Sequence, residues 1–121
     1  MVTPSLNTLH LQYRIWIAAL NYDINVIRII NDHLDEMRKL NEHGMVPGNL
    51  AGEQSLKDFR LTIDDLKNEL HLAKMQIAAL LRNKALQTLP DTQVQEHQFM
   101  SNRYHAFRSR FEKMCQQIVG S

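Results

Sequence analysis

The sequence holds one cysteine, one tryptophan, three prolines and four glycines in 121 residues, and each scarcity removes a class of protein. A lone Cys115 cannot form an intramolecular disulfide framework and cannot by itself build a thiolate metal site, which favours a reducing compartment and a packing role for the thiol. Charge of one sign is missing too. Fourteen Lys and Arg stand against thirteen Asp and Glu, a net +1, with both signs scattered along the chain. No long-range field therefore draws it toward nucleic acid, anionic lipid or an acidic substrate. Apolar runs are short: the longest, Ile15 to Leu20, is bracketed by Arg14, Asn21 and Asp23 and falls well below the roughly 18 to 20 residues of a membrane span. Met1 to Ser5 carries neither the basic region nor the apolar core of a signal peptide. The expectation is a cytoplasmic chain without membrane association.

What is present is helix. With 44% apolar and 22% charged residues the composition is that of one globular domain spanning 1–121. Three of the four glycines and Pro47 fall between Gly44 and Gly52, and Pro90 interrupts a second short stretch. Outside these breaks, apolar residues recur every three or four positions, the repeat of an α-helix face. The breaks divide the chain into helix 1 at about 4–43, a loop at about 44–52, helix 2 at about 53–87 and helix 3 at about 91–119. Thr3 with Pro4, or Ser5, can begin helix 1. Ser55 and Asp58 have capping-box-like spacing for helix 2, and Asp91 or Thr92 can cap helix 3. Helix 2 has the cleanest heptad, Leu56, Phe59, Ile63, Leu66, Leu70, Ala73, Ile77 and Leu80, broken only by Lys84. Helix 3 repeats Met100, Tyr104, Phe107, Phe111, Met114 and Ile118, with Cys115 beside them. Three long helices with short connections and no strand pattern predict an all-α, up-down-up antiparallel, coiled-coil-like bundle.

Helix 1 departs from that plan by carrying two apolar stripes. One runs Leu9, Tyr13, Trp16, Leu20, Ile24, Ile27, Ile30, Leu34 and Met37. The other runs Leu11, Ile15, Ala18, Tyr22, Val26 and Ile29, displaced by roughly 140° around the helix at about 100° per residue. Two stripes require two partners, or else a helix wedged between both neighbours with an unusually wide buried arc. The first alternative makes the second stripe an interface for another protein or a second copy of this chain.

Motifs that would carry chemistry are few. Six histidines raise the question of a metal, yet no Glu-x-x-His pair of the di-iron bundle type occurs and no two His lie at i and i+4. His97 and His105 are eight apart, and His33 with Glu36 sits in a polar stretch. On helix 2, His71-Leu72-Ala73-Lys74 resembles a fragment of the histidine-phosphotransfer pattern, which implies an outward His71 as phosphoacceptor with Lys74 beside it. Met75 occupies the place where that pattern has glycine. Arg103, Arg108, Arg110 and Lys113 interleave with aromatic residues on helix 3 and read as a solvated basic face, with a weak nucleic-acid contact as the alternative. Neither a glycine-rich phosphate loop nor a nucleophile with a nearby base is legible. The expectation is a non-enzymatic interaction module without cofactor, metal or small-molecule substrate, self-associating or binding a protein through helix 1.

Overall fold

The computed structural model describes residues 5–40, 49–83 and 90–119, apart from the side chains of 49–54 and 119. These form three helices, α1 Leu6–Leu40, α2 Asn49–Arg82 and α3 Asp91–Val119. They pack as a helical bundle, with no strand among the described residues. At 35 residues, α1 is about 50 Å long. Its start is fixed by Ser5, whose Oγ accepts the N–H of Thr8 at 3.1 Å while its carbonyl accepts that of Leu9 at 3.0 Å. This is the N-cap geometry that satisfies donors left free by the first turn. Thr3, Pro4, residues 41–48 and Lys84 to Leu89 lie outside the described residues, and with them the expected helix 1 terminus and the seam position at Lys84.

α3 starts at Asp91, as the sequence reading has it; the caps of α2 and α3, and the bound of about 53 for helix 2, differ. α2 begins at Asn49, inside the stretch assigned to the loop, so Ser55 and Asp58 lie within the helix and do not cap it. An isolated glycine weakens a helix by only about 1 kcal/mol, so Gly52 does not stop one. Thr62 instead returns its hydroxyl to the Asp58 carbonyl at 2.9 Å, a local bond that competes little with the helix. At α3 the capping carbonyl belongs to Pro90, which accepts the N–H groups of Gln93 at 3.0 Å and Val94 at 3.2 Å. Asp91 then falls in the first turn, where its charge favours the positive end of the helix dipole.

The core is one cluster drawn from all three helices. α1 contributes Leu9, Tyr13, Trp16, Ile17, Leu20, Ile27 and Ile30, and α2 contributes Leu56, Ile63, Leu66, Leu70, Ala73 and Ile77. Met100, Tyr104, Phe107, Phe111 and Met114 complete it from α3. Ile24, Leu34, Phe59, Leu80 and Ile118 are half-buried at its margins, while Met37, placed on the first stripe by its spacing, is exposed. The α1 and α2 backbones run close together, and α3 stands further off. Side-chain bulk explains the difference: Trp16 stacks on Tyr104 with ring centroids 4.8 Å apart, and Phe59 meets both Phe107 and Phe111 edge-on at 5.9 and 5.6 Å. Such aromatic pairs contribute roughly 0.5 to 1.5 kcal/mol beyond their buried area. The smaller Ile, Leu and Ala side chains between α1 and α2 let those helices approach.

Leu70 is fully buried in the centre of the α2 seam. Leu70→Ala should lower the unfolding free energy by about 2 to 5 kcal/mol, the sum of lost transfer energy and a cavity. Urea unfolding followed by circular dichroism measures it, and a loss below about 0.5 kcal/mol, the range of surface substitutions, would be incompatible with this packing.

Candidate functional site

The second stripe of α1 lies on the outside of the bundle. Leu11, Ile15, Tyr22 and Ile29 are 55%, 56%, 68% and 67% exposed, and Ala18 is exposed between them. Val26 differs from the others because it turns toward α3 and packs half-buried against the core. The face thus continues into a depression of about 320 Å³ between α1 and α3, lined by Tyr22, Val26, Phe111, Cys115 and the charged pair described next.

That pair is Asp23 with Arg108. Asp23 is 1% exposed, and its Oδ1 accepts a hydrogen bond from Arg108 at 2.9 Å. The guanidinium also lies over the Tyr104 ring, 5.7 Å from its centroid. Asp23 Oδ2 is buried without a hydrogen-bond partner among the described residues. Burial pushes the Asp23 carboxyl above the usual carboxylate range, although the hydrogen bond and charge of Arg108 pull it down. Burial acts on Arg108 in the opposite sense and is outweighed by the bonds to Asp23 and Tyr104, so the guanidinium stays protonated more firmly than usual. Nearby, burial raises the Cys115 thiol, with Asp23 adding to the effect. A thiol held protonated is a poor nucleophile.

The sequence reading of helix 3 as a solvated basic face requires correction at two of its four cations. Arg108 turns inward to Asp23, and Arg103 pairs with Glu69 of α2 while its guanidinium sits 5.6 Å from the Phe99 ring centroid. Arg110 and Lys113 are exposed. Tyr104, Phe107 and Phe111 are core, as their spacing predicts. His97 Nε2 donates to Gln12 Oε1 at 2.7 Å, and its ring stacks on Trp16 at 5.8 Å with planes 9° apart. Burial lowers its pKa, which keeps the imidazole neutral at neutral pH. His105 meets the same tryptophan edge-on, so these two histidines bracket an indole. Tyr13 completes this layer, its hydroxyl pushed up to about 12 by burial and by Glu96. His71 faces solvent beside exposed Leu72 and Met75, while Lys74 is half-buried. Among the described residues no group of three or more His, Cys, Asp or Glu is arranged to hold a metal ion, and no helix is long and apolar enough to cross a membrane.

A wider cleft of about 480 Å³ lies between α1 and α2, with Ile24, Ile27, Leu56 and Leu61 beside Arg28, Lys57 and Arg60. Arg60 is partly neutralised by Asp64 at 3.2 Å. Comparison of the chain with protein-family models, curated proteins and solved structures finds no match.

The Asp23 carboxyl titrates higher in the folded chain than in the unfolded one, so the folded state binds this proton more tightly. Its contribution to stability is complete below the ordinary Asp value of about 4 and is lost as pH rises through the raised folded value. Asp23→Asn does not titrate and lacks that dependence. Urea unfolding at a series of pH values should therefore show the parent gaining on Asp23→Asn as pH falls from about 7 toward 4. A difference that runs the other way would mean that Arg108, and not burial, dominates the carboxyl.

Proposed function

We propose that this chain is a non-enzymatic interaction module that self-associates through the outer face of α1. Its three helices run up-down-up with coiled-coil-like packing, in a reducing compartment such as the cytoplasm. The exposure of Leu11, Ile15, Tyr22 and Ile29 along one face of a single helix is the observation that carries this reading. Scattered surface apolar residues are ordinary, but a contiguous row of large ones marks an interface. Residue pairs support the helix directions. Gln12 meets His97, Trp16 meets Tyr104 and Asp23 meets Arg108, so positions rise together on α1 and α3. Phe59 meets Phe107 and Phe111 while Glu69 meets Arg103, so positions on α2 rise as those on α3 fall. A thiol held protonated by burial and two helix 3 cations tied to carboxylates favour this reading over catalysis or nucleic-acid binding.

Burying each large side chain of the face fully would contribute on the order of 1.5 to 3 kcal/mol before the cost of association is subtracted. Light scattering should find the parent above monomer mass at tens of micromolar. Ile15→Glu with Ile29→Glu, both at exposed positions, should give a monomer with unchanged helical content, whose unfolding midpoint no longer rises with protein concentration as the parent's does. A parent that stays monomeric at hundreds of micromolar would overturn the proposal.

A further inference from the structure

The exposed face of α1 has an internal symmetry that bears on what covers it. Continuing to His33, which is also exposed, the positions are 11, 15, 18, 22, 26, 29 and 33, with steps of four, three, four, then four, three, four. The series reads the same in both directions about Tyr22. An interface between two different proteins does not require this property. Nor does an isologous one, since any α-helical face stepping by three and four is symmetric about its central position; what the symmetry gives is the pairing, in which a two-fold axis at Tyr22 sets each position against its mirror in the series.

Charge makes the choice of occupant. Arg14 and Asp32 are exposed and eighteen residues apart, five full turns at about 100° per residue. They therefore occupy one angular position, on a shoulder of the apolar face. A two-fold axis across antiparallel helices sets like shoulders side by side, and it brings Arg14 of one copy to within about 3 Å along the axis of Asp32 of the other, two residues at 1.5 Å each. Each dimer would hold this pair twice. A parallel arrangement in register would instead put this shoulder of the two copies on opposite sides of the interface, where Arg14 of one copy has no Asp32 of the other to meet.

We infer that two copies dock through α1 in antiparallel orientation, with Tyr22 on the two-fold axis and Arg14 of each copy paired with Asp32 of the other. Ile15 then meets Ile29 and Leu11 meets His33, while Ala18 lies opposite the position of half-buried Val26. The steps span two eleven-residue repeats, about 3.67 residues per turn, which is close enough to a straight helix that α1 need not supercoil about its copy. Four side chains more than half exposed present on the order of 500 Å² per copy, close to the lower limit for a stable interface, about 1,000 Å² in total. This inference rests on the self-association proposed above and specifies its geometry.

Disulfide trapping tests it in a Cys115→Ser background. Tyr22→Cys should cross-link to itself on mild oxidation. Ile15→Cys should not, yet it should cross-link to Ile29→Cys when the two variants are mixed. In sedimentation equilibrium, Arg14→Glu should weaken dimerisation about tenfold or more, equivalent to losing about 1.4 kcal/mol, and adding Asp32→Arg should recover most of that loss. A dimeric parent in which Ile15→Cys cross-links to itself, or in which Asp32→Arg brings no recovery, would overturn this geometry and leave self-association standing. A monomeric parent would overturn both.

Discussion

The arrangement of this bundle depends on how α1 divides one buried face between two neighbours. Toward α2 that face is aliphatic, and the two backbones run close together. Toward α3 it presents Trp16, Gln12 and Asp23, which find Tyr104, His97 and Arg108. Aliphatic packing is tolerant of sliding because one Leu or Ile fills much the same hole as another. The aromatic and polar contacts are not. A stacked indole and a buried hydrogen-bonded ion pair each match at one register, so the contacts to α3 fix the relative heights of the helices.

A buried ion pair is weak evidence for stability, since taking both charges out of water opposes their attraction. Here the balance is visible on the carboxylate itself, where burial outweighs Arg108 in setting the direction of its shift. The sounder role for the pair is specificity. A one-turn slip of α3 would leave Asp23 buried without its guanidinium, a state that costs several kcal/mol, whereas the aliphatic seam alone would penalise the slip much less. Arg108, and Arg103 with it through Glu69 of α2, serve the fold at the expense of the basic surface that a linear reading of helix 3 suggests.

Much of this architecture is legible in the sequence because period is the signal that burial leaves behind. The α2 and α3 seams, the core aromatics and the two-faced character of α1 all follow from steps of three and four. The start of α2 is less legible, because glycine and asparagine read as loop residues although an isolated glycine costs a helix only about 1 kcal/mol. Asp23 was hidden for a different reason. A strict heptad along α1 runs 9, 13, 16, 20, 23, 27 and 30, and places Asp23 on the seam; an eye following apolar residues steps from Leu20 to Ile24 and passes over the charge. Its partner is 85 residues away, and no local pattern announces which of several arginines will turn inward. The exposed face could be seen as a stripe, but only the position of α3 shows that nothing else in the described chain covers it.

The two faces of α1 also differ in what they ask of the chain's concentration. Contacts within the bundle form whether or not a second copy is present, whereas on the proposed self-association the outer face would be covered only in the associated state and would then stabilise the fold by mass action. Such a face must be apolar enough to bind its copy and restrained enough to avoid binding everything else. Arg14, Asn21, Asn25, Arg28 and Asp32 run along one flank of the row, and all are exposed. Polar residues beside an apolar row oppose indiscriminate aggregation, because a partner that cannot match them must bury them without compensation. On this view the alternation of apolar row and charged shoulder is as much a part of the surface's function as the isoleucines, since it restricts which second chain can cover them.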